Sequence, residues 1–232
     1  MKKPLLYKVY ITLRRGWKSM TPESQQTLRV FVFSQKTEHG YMNSGQHEDA
    51  YYTQFGRLLE AVFQPVRSLQ LPTLTLTVKE SLGRETIYGR FFKFLEQEMT
   101  LSGRNMKLDL QLDPLFNSHS SLFESPTTND VCCILAMQHQ SGIQHQVPLV
   151  KWLQQRQDES GGFYASEQAP IPDLLSTAVA SFTLRLIGAD TRPFSQFIQA
   201  HWIESGGFTP TLFDHYTDVE YVFYGLLALG TV

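Results

Sequence analysis

Apolar residues recur at helical spacing in two stretches that superimpose without a gap at an offset of 45 residues. In residues 147–157, Leu149, Val150, Trp152 and Leu153 share one side, and Lys151, Gln154, Gln155 and Arg156 share the other. This segment ends at Glu159-Ser160-Gly161-Gly162-Phe163. After nine intervening residues Asp173 opens a run, 174–182, that is apolar or small nearly all round. The second stretch keeps the order: residues 194–202, then Glu204-Ser205-Gly206-Gly207-Phe208, then Asp218 and an apolar run that closes at Gly230. A one-sided pattern predicts an outer amphipathic helix, and an all-round pattern predicts a helix buried on every side. Between them the glycine pair predicts a tight turn, where a Cβ would oppose the backbone. Two-helix units repeated at such a period stack to share one core.

Two further copies are eroded. Residues 28–34 lead into Glu38-His39-Gly40-Tyr41, and Asp49 with Thr53 matches Asp173 with Thr177. Asp130 opens Val131-Cys132-Cys133-Ile134-Leu135-Ala136-Met137, with residues 88–98 as its outer partner. The inner helices are thus expected near 49–64, 129–140, 173–187 and 218–230. Residues 65–78 and 107–128 read as irregular or strand-like elaborations that interrupt the repeat.

Charge changes the picture at one end. Residues 1–20 hold six cations, Lys2, Lys3, Lys8, Arg14, Arg15 and Lys18, and no acid, although the net charge of the chain is -2. Leu5, Leu6, Val9, Tyr10 and Leu13 fall at helical spacing, predicting a basic amphipathic helix over 1–20 that stands apart from a repeat domain at 21–232. Two roles are open to it: packing on the body with a solvated basic face, or contact with an anionic membrane surface or an acidic protein partner. Either way it is expected to be surface-exposed and dispensable for folding. The rest of the chain is acidic on balance, which argues against general nucleic-acid binding.

With 42% hydrophobic and 18% charged residues, the chain is globular rather than disordered. No apolar run approaches the roughly 18 residues of a membrane span. Lys8, Arg14 and Arg15 interrupt any signal-peptide core. The only cysteines, Cys132 and Cys133, are adjacent and poorly placed to bridge each other, so a cytoplasmic location is expected, with membrane association resting on the basic helix alone.

At Gln157-Asp158-Glu159-Ser160-Gly161-Gly162-Phe163 with Asp173-Leu174-Leu175-Ser176-Thr177, and at Glu204-Ser205-Gly206-Gly207-Phe208 with Asp218 and Tyr224-Gly225-Leu226-Leu227-Ala228-Leu229, the chain resembles a known family. It is the repeat family of protein prenyltransferase β subunits and squalene/oxidosqualene cyclases. The likeness is close over 147–232, moderate over 24–64 and poor between. It implies an all-α fold: an α/α toroid, complete or partial, of about five two-helix repeats, whose inner helices ring an apolar cavity. It also implies an isoprenoid or other long apolar small-molecule ligand, and catalytic candidates Asp130, Asp173 and Asp218 at the starts of inner helices.

The family's zinc site matches only in part. Asp130-Val131-Cys132 fits its first half, but Ser176 and Tyr221 stand where it has His. Zinc needs three or four ligands, so no metal and no cofactor is expected. The cyclases' Asp-rich protonating motif is also missing. Catalysis is therefore left open, and a non-catalytic protein-interaction module on the same scaffold is the competing function.

The same residues have plainer roles. An Asp at a helix start caps free N–H groups and complements the dipole. Tyr52, Ser176 and Tyr221 each stand three residues past their Asp. If that position faces the lumen, they join Tyr224 and Cys132 as a substrate-binding set, hydroxyls in an apolar wall. Alternatively the aromatic residues fill the core and Cys132 is a small hydrophobe. No Ser/His/Asp or Cys/His spacing and no phosphate-binding glycine loop is visible. The expected inner helices carry only Arg57 and Arg185 as cations, too few for a pyrophosphate site.

Overall fold

In the computed structural model, which describes residues 3–64, 86–101, 125–145 and 147–232, the chain is mainly helical with only two-residue strand pairs. After α1 (Leu5–Ser19) and α2 (Pro22–Ser34), the hairpin β1 (Tyr41–Met42) and β2 (Glu48–Asp49) leads into α3 (Ala50–Phe63). Then come α4 (Ile87–Leu101), α5 (Thr128–Ser141) and α6 (Val147–Gln155). The hairpin β3 (Phe163–Tyr164) and β4 (Pro172–Asp173) feeds α7 (Leu174–Ile187). Last come α8 (Ser195–Ala200), the hairpin β5 (Trp202–Ile203) and β6 (Gly207–Phe208), and α9 (Val219–Leu229). All three strand pairs are antiparallel. The four expected inner helices are α3, α5, α7 and α9. The expected elaboration at 65–78 lies outside the described residues, and so does that at 107–128 up to residue 124; its last residues form the start of α5, capped by Thr127.

The repeat has a physical basis in its turn. Gly161 and Gly206 hold φ of 89° and 96°, left-handed values that a side chain resists. The turn then drops one aromatic ring into the core: Tyr41, Phe163 or Phe208, all at most 2% exposed. The backbone N–H of each aromatic residue donates to a threonine hydroxyl, Thr53 at 3.0 Å, Thr177 at 2.9 Å and Thr217 at 3.2 Å. The ring lies against the inner helix seven residues past its cap, where the sequence has Gly56, Ala180 and Gly225. A Cβ built at Gly56 would meet the Tyr41 ring at 2.2 Å, and one at Gly225 would meet the Phe208 ring at 2.2 Å. Consecutive units also stack alike. The Thr128 N–H donates to Ala165 O at 2.7 Å, and the Leu174 N–H to Pro210 O at 2.9 Å. In both, the first inner-helix residue reaches two residues past the next unit's aromatic.

Packing orders the inner helices by neighbour. α7 lies between α5 and α9, α9 also packs on α3, and α4 packs on α5. The first helix departs from expectation. Instead of lying exposed beside the repeats, α1 buries Leu5, Leu6, Tyr10 and Leu13 in the same core. It runs across the C-terminal ends of the inner helices. Tyr10 and Arg14 bond carbonyls of Ala61, Val62 and Gln64 at the end of α3. Lys8 donates to Gln140 of α5 at 2.8 Å, and Gly16 sits against the Leu226 carbonyl of α9. Each fully buried large apolar side chain contributes about 1.5–3 kcal/mol, so this helix is part of the fold. The expectation that it is dispensable is corrected accordingly.

Candidate functional site

The inner-helix aspartates are caps. Asp49 accepts the Tyr51 N–H at 2.7 Å, Asp173 accepts the Ser176 N–H at 2.7 Å, and Asp218 accepts the Tyr221 N–H at 3.0 Å. Asp130 is different. α5 is capped by Thr127, and Asp130 is its third residue, returning a bond to the Thr127 N–H in a capping box. The fourth copy is therefore shifted by three residues from the expected alignment, and Asp130 occupies the position of Tyr52, Ser176 and Tyr221.

With that correction one face of every inner helix falls into register. Residues five, six and nine past the cap line a single apolar cavity of about 160 Å³: Cys132, Cys133 and Ala136 on α5, and Phe223, Tyr224 and Leu227 on α9. α3 places Gln54, Phe55 and Leu58 in the same register, and α7 contributes Val179 and Phe182. Such offsets share one side of a helix. α4 adds Tyr88, Phe91 and Leu95, and α1 closes one end with Leu5, Leu6 and Val9. The walls are aromatic. Phe55 meets Phe223 edge-on at 4.9 Å and Tyr51 at 4.8 Å.

Of the expected binding residues, Tyr224 and Cys132 line this cavity, whereas Tyr52, Ser176 and Tyr221 do not. Three past the cap points away from it, toward the capping carboxylates. Tyr52 Oη donates to Asp218 Oδ2 at 3.3 Å, and Ser176 Oγ donates to its own cap Asp173 at 2.8 Å. Tyr221 has its phenol pushed well up, chiefly by burial and then by Glu220. Burial raises the carboxyls of Asp173 and Asp218 above the usual aspartate range, although their hydrogen bonds pull the other way. Burial also lifts the Cys132 thiol to about 12, so it is protonated at neutral pH and is no thiolate nucleophile.

The polar end of the cavity is a group the sequence did not single out. Tyr51 and Tyr88 both line the cavity. Tyr51 Oη donates to Glu220 Oε1 at 2.8 Å and stands 3.2 Å from Tyr88 Oη. The Glu220 carboxyl is raised, mainly by burial and further by the charge of Asp218, against a lowering bond from Tyr51. With Glu220 ionised, Tyr51 donates to it and can accept from Tyr88. With Glu220 protonated the chain can reverse, Glu220 to Tyr51 to Tyr88, and a proton donor faces the cavity. Tyr51 is 37% exposed, so this end reaches solvent. The only available signal lay two residues past the cap, where Tyr51, Asn129, Leu175 and Glu220 share no chemistry.

Among the described residues no three His, Cys, Asp or Glu side chains converge as metal ligands. Asp130 is tied into its capping box and Cys132 faces the apolar cavity, so the half-site Asp130-Val131-Cys132 is not built as one. Among the same residues no helix is long and apolar enough to cross a membrane. No family model matches the sequence. Neither the curated proteins nor the solved structures give a match.

Proposed function

We propose that the chain is a divergent α/α toroid of the prenyltransferase and terpenoid cyclase type, closed or partial, that binds an isoprenoid or other apolar chain in its lumen. The observation that carries this reading is the cavity on one register of four inner helices. Its volume is close to the roughly 150 Å³ that admits benzene in an engineered cavity and below the roughly 300 Å³ of ordinary ligand pockets. It therefore takes the end of a hydrocarbon chain. Tyr51 and Tyr88 would meet a single hydroxyl or similar polar group there. The aromatic faces also suit a developing positive charge on carbon. In the catalytic form of this reading Glu220, through Tyr51, supplies the proton, while Asp173 and Asp218 serve as caps.

The test is calorimetric titration with farnesol and 1-decanol, beside native mass spectrometry of the purified protein for a retained lipid. Ala136→Phe fills the cavity and should weaken binding about tenfold or more, since burying even two methylenes is worth about 1.6 kcal/mol. Equal affinity in wild type and the filled variant sinks the reading.

A second reading, a non-catalytic interaction module, is favoured by the loop before α9, where Leu212 is 52% and Phe213 75% exposed. Single exposed apolar residues are common, but two adjacent ones on a loop offer a contact point. Phe213→Ser should then abolish concentration-dependent self-association in sedimentation runs and leave ligand binding intact.

A further inference from the structure

Lys3, just before α1, with Lys8 and Arg15 of α1 lines one wall of a groove of about 550 Å³, and His139 of α5 with Phe182 and Arg185 of α7 line the other. We propose that this groove binds a phosphate-bearing anion. Among the described residues no carboxylate lines it, and Lys3, Lys8, Arg15 and Arg185 converge on it from α1, the residue stretch just before it, and α7. Charges held between two walls focus potential far better than the same charges on an open face.

The frame is held in place. Lys8 Nζ donates to Gln140 Oε1 at 2.8 Å, and Gln140 Nε2 donates back to the Lys3 carbonyl at 2.6 Å. Lys3 Nζ also lies 3.2 Å from the Tyr7 hydroxyl. Arg185 spends one N–H on the Thr231 carbonyl, and a guanidinium has five to give. Glu98, outside the described lining, feels Lys8 and accepts the Leu5 N–H at 2.8 Å.

A plainer account places cations at helix C-termini to offset the dipole. It serves His139 and Arg185 at the ends of α5 and α7, but it gives no reason for Lys3 ahead of α1 or for Arg15 within it. A phosphate dianion takes paired donors from Arg and a point charge from Lys, and the groove supplies both. The site does not rest on the apolar cavity, although Phe182 borders both. Either can fail without the other.

The chemistry is shared by soluble phosphate esters and by lipid headgroups, and the test separates them. The full chain is titrated calorimetrically with inorganic phosphate at fixed ionic strength. In parallel it is sedimented with phosphatidylcholine vesicles with and without phosphatidic acid. Arg15→Gln removes a groove charge, and Lys18→Gln removes the same charge from an exposed position outside the groove. Arg15→Gln should weaken binding about tenfold, the value of one charge-assisted contact, and Lys18→Gln should leave it unchanged. Lys3→Gln serves as the second variant should Arg15→Gln lose its helical circular dichroism. Binding of free phosphate with inert vesicles assigns a soluble ester. Binding only to phosphatidic acid vesicles assigns a headgroup. Equal losses in Arg15→Gln and Lys18→Gln, or no binding to either probe, overturn the proposal.

Discussion

The Tyr51 hydroxyl donates to Glu220 Oε1 across 2.8 Å, which joins the inner helix of the first described repeat to that of the last. Tyr51→Phe keeps the ring and removes the bond, leaving a half-buried carboxylate short of a donor. A loss of about 1 kcal/mol is expected in urea unfolding. Glu220 also sets a pH signature. Its folded pKa lies above the ordinary 4.5, so its contribution is full below that value and is lost as pH rises through the folded pKa. Wild-type stability relative to Glu220→Gln should therefore decline from pH 4 toward neutrality. A flat difference would count against this account of Glu220.

What the sequence revealed was the period, the turn and the helix starts, because each is written by local rules. Gly161-Gly162-Phe163 and Asp173 need only their own neighbours to form a turn and a cap. The cavity face was misread by two residues because Tyr52, Ser176 and Tyr221 look alike, whereas Cys132, Phe223 and Gln54, which share the cavity register, do not. At Thr127 a threonine performs the task that Asp performs elsewhere, and that exchange hid the register of α5. The role of α1 was illegible for a different reason. Its apolar stripe declares burial, but only the fold shows that the buried face closes the cavity and that its basic face meets Arg185.

The small residue seven past the Asp caps of α3, α7 and α9 exists to seat the turn aromatic. Gly225→Ala would set a Cβ at 2.2 Å from the buried Phe208 ring, so a loss of about 2 kcal/mol is expected despite the better helix propensity of alanine. Ala180→Gly in the third unit relieves no clash and should cost about 1 kcal/mol by propensity alone. Chemical denaturation of both variants checks the pair. If Gly225→Ala proves more stable than wild type, the ring does not sit where described.

Cys132 and Cys133 are both at most 4% exposed, and burial holds the Cys132 thiol up at about 12. In the native protein neither should react with a thiol-disulfide reagent on the timescale of minutes, and both should react at once in denaturant. Rapid native labelling of Cys132 would restore it as a chemical group and would require the cavity wall to open readily.

His201 is fully buried, with Nδ1 at 2.8 Å from the Thr209 carbonyl and no partner for Nε2 among the described residues. The short contact to a carbonyl fixes the proton on Nδ1 and leaves Nε2 bare. Burial holds its folded pKa below the ordinary 6.5. The unfolded chain therefore takes up a proton first as pH falls. Stability tied to the neutral ring is full above about 6.5 and is lost on descending toward the folded pKa. His201→Asn can keep a donor to Thr209 and cannot titrate. The raised carboxylates of Asp173, Asp218 and Glu220 act with the opposite sign in acid, so the measurement is the difference between wild type and His201→Asn. That difference should shrink as pH drops from 7 to 5.

The last expectation concerns the junction of α1 with α9. Gly16 lies so close to α9 that a Cβ there would stand 2.0 Å from the Leu226 carbonyl oxygen, and Gly230 presses against the Thr12 carbonyl from the other side. Backbone atoms cannot swing aside as a side chain can, so the two helices must separate to admit even one methyl group. Gly16→Ala should cost about 1–3 kcal/mol, net of its propensity gain, and Gly16→Val more. The same separation would lift Leu5, Leu6 and Val9 from the end of the cavity. The variant should thus bind an exposed-hydrophobe dye that the wild type excludes and should label faster at Cys132. Arg15→Ala, on the exposed side of the same helix, should do neither. If Gly16→Val unfolds at the wild-type urea concentration, α1 is a surface appendage and the corrected view of it fails.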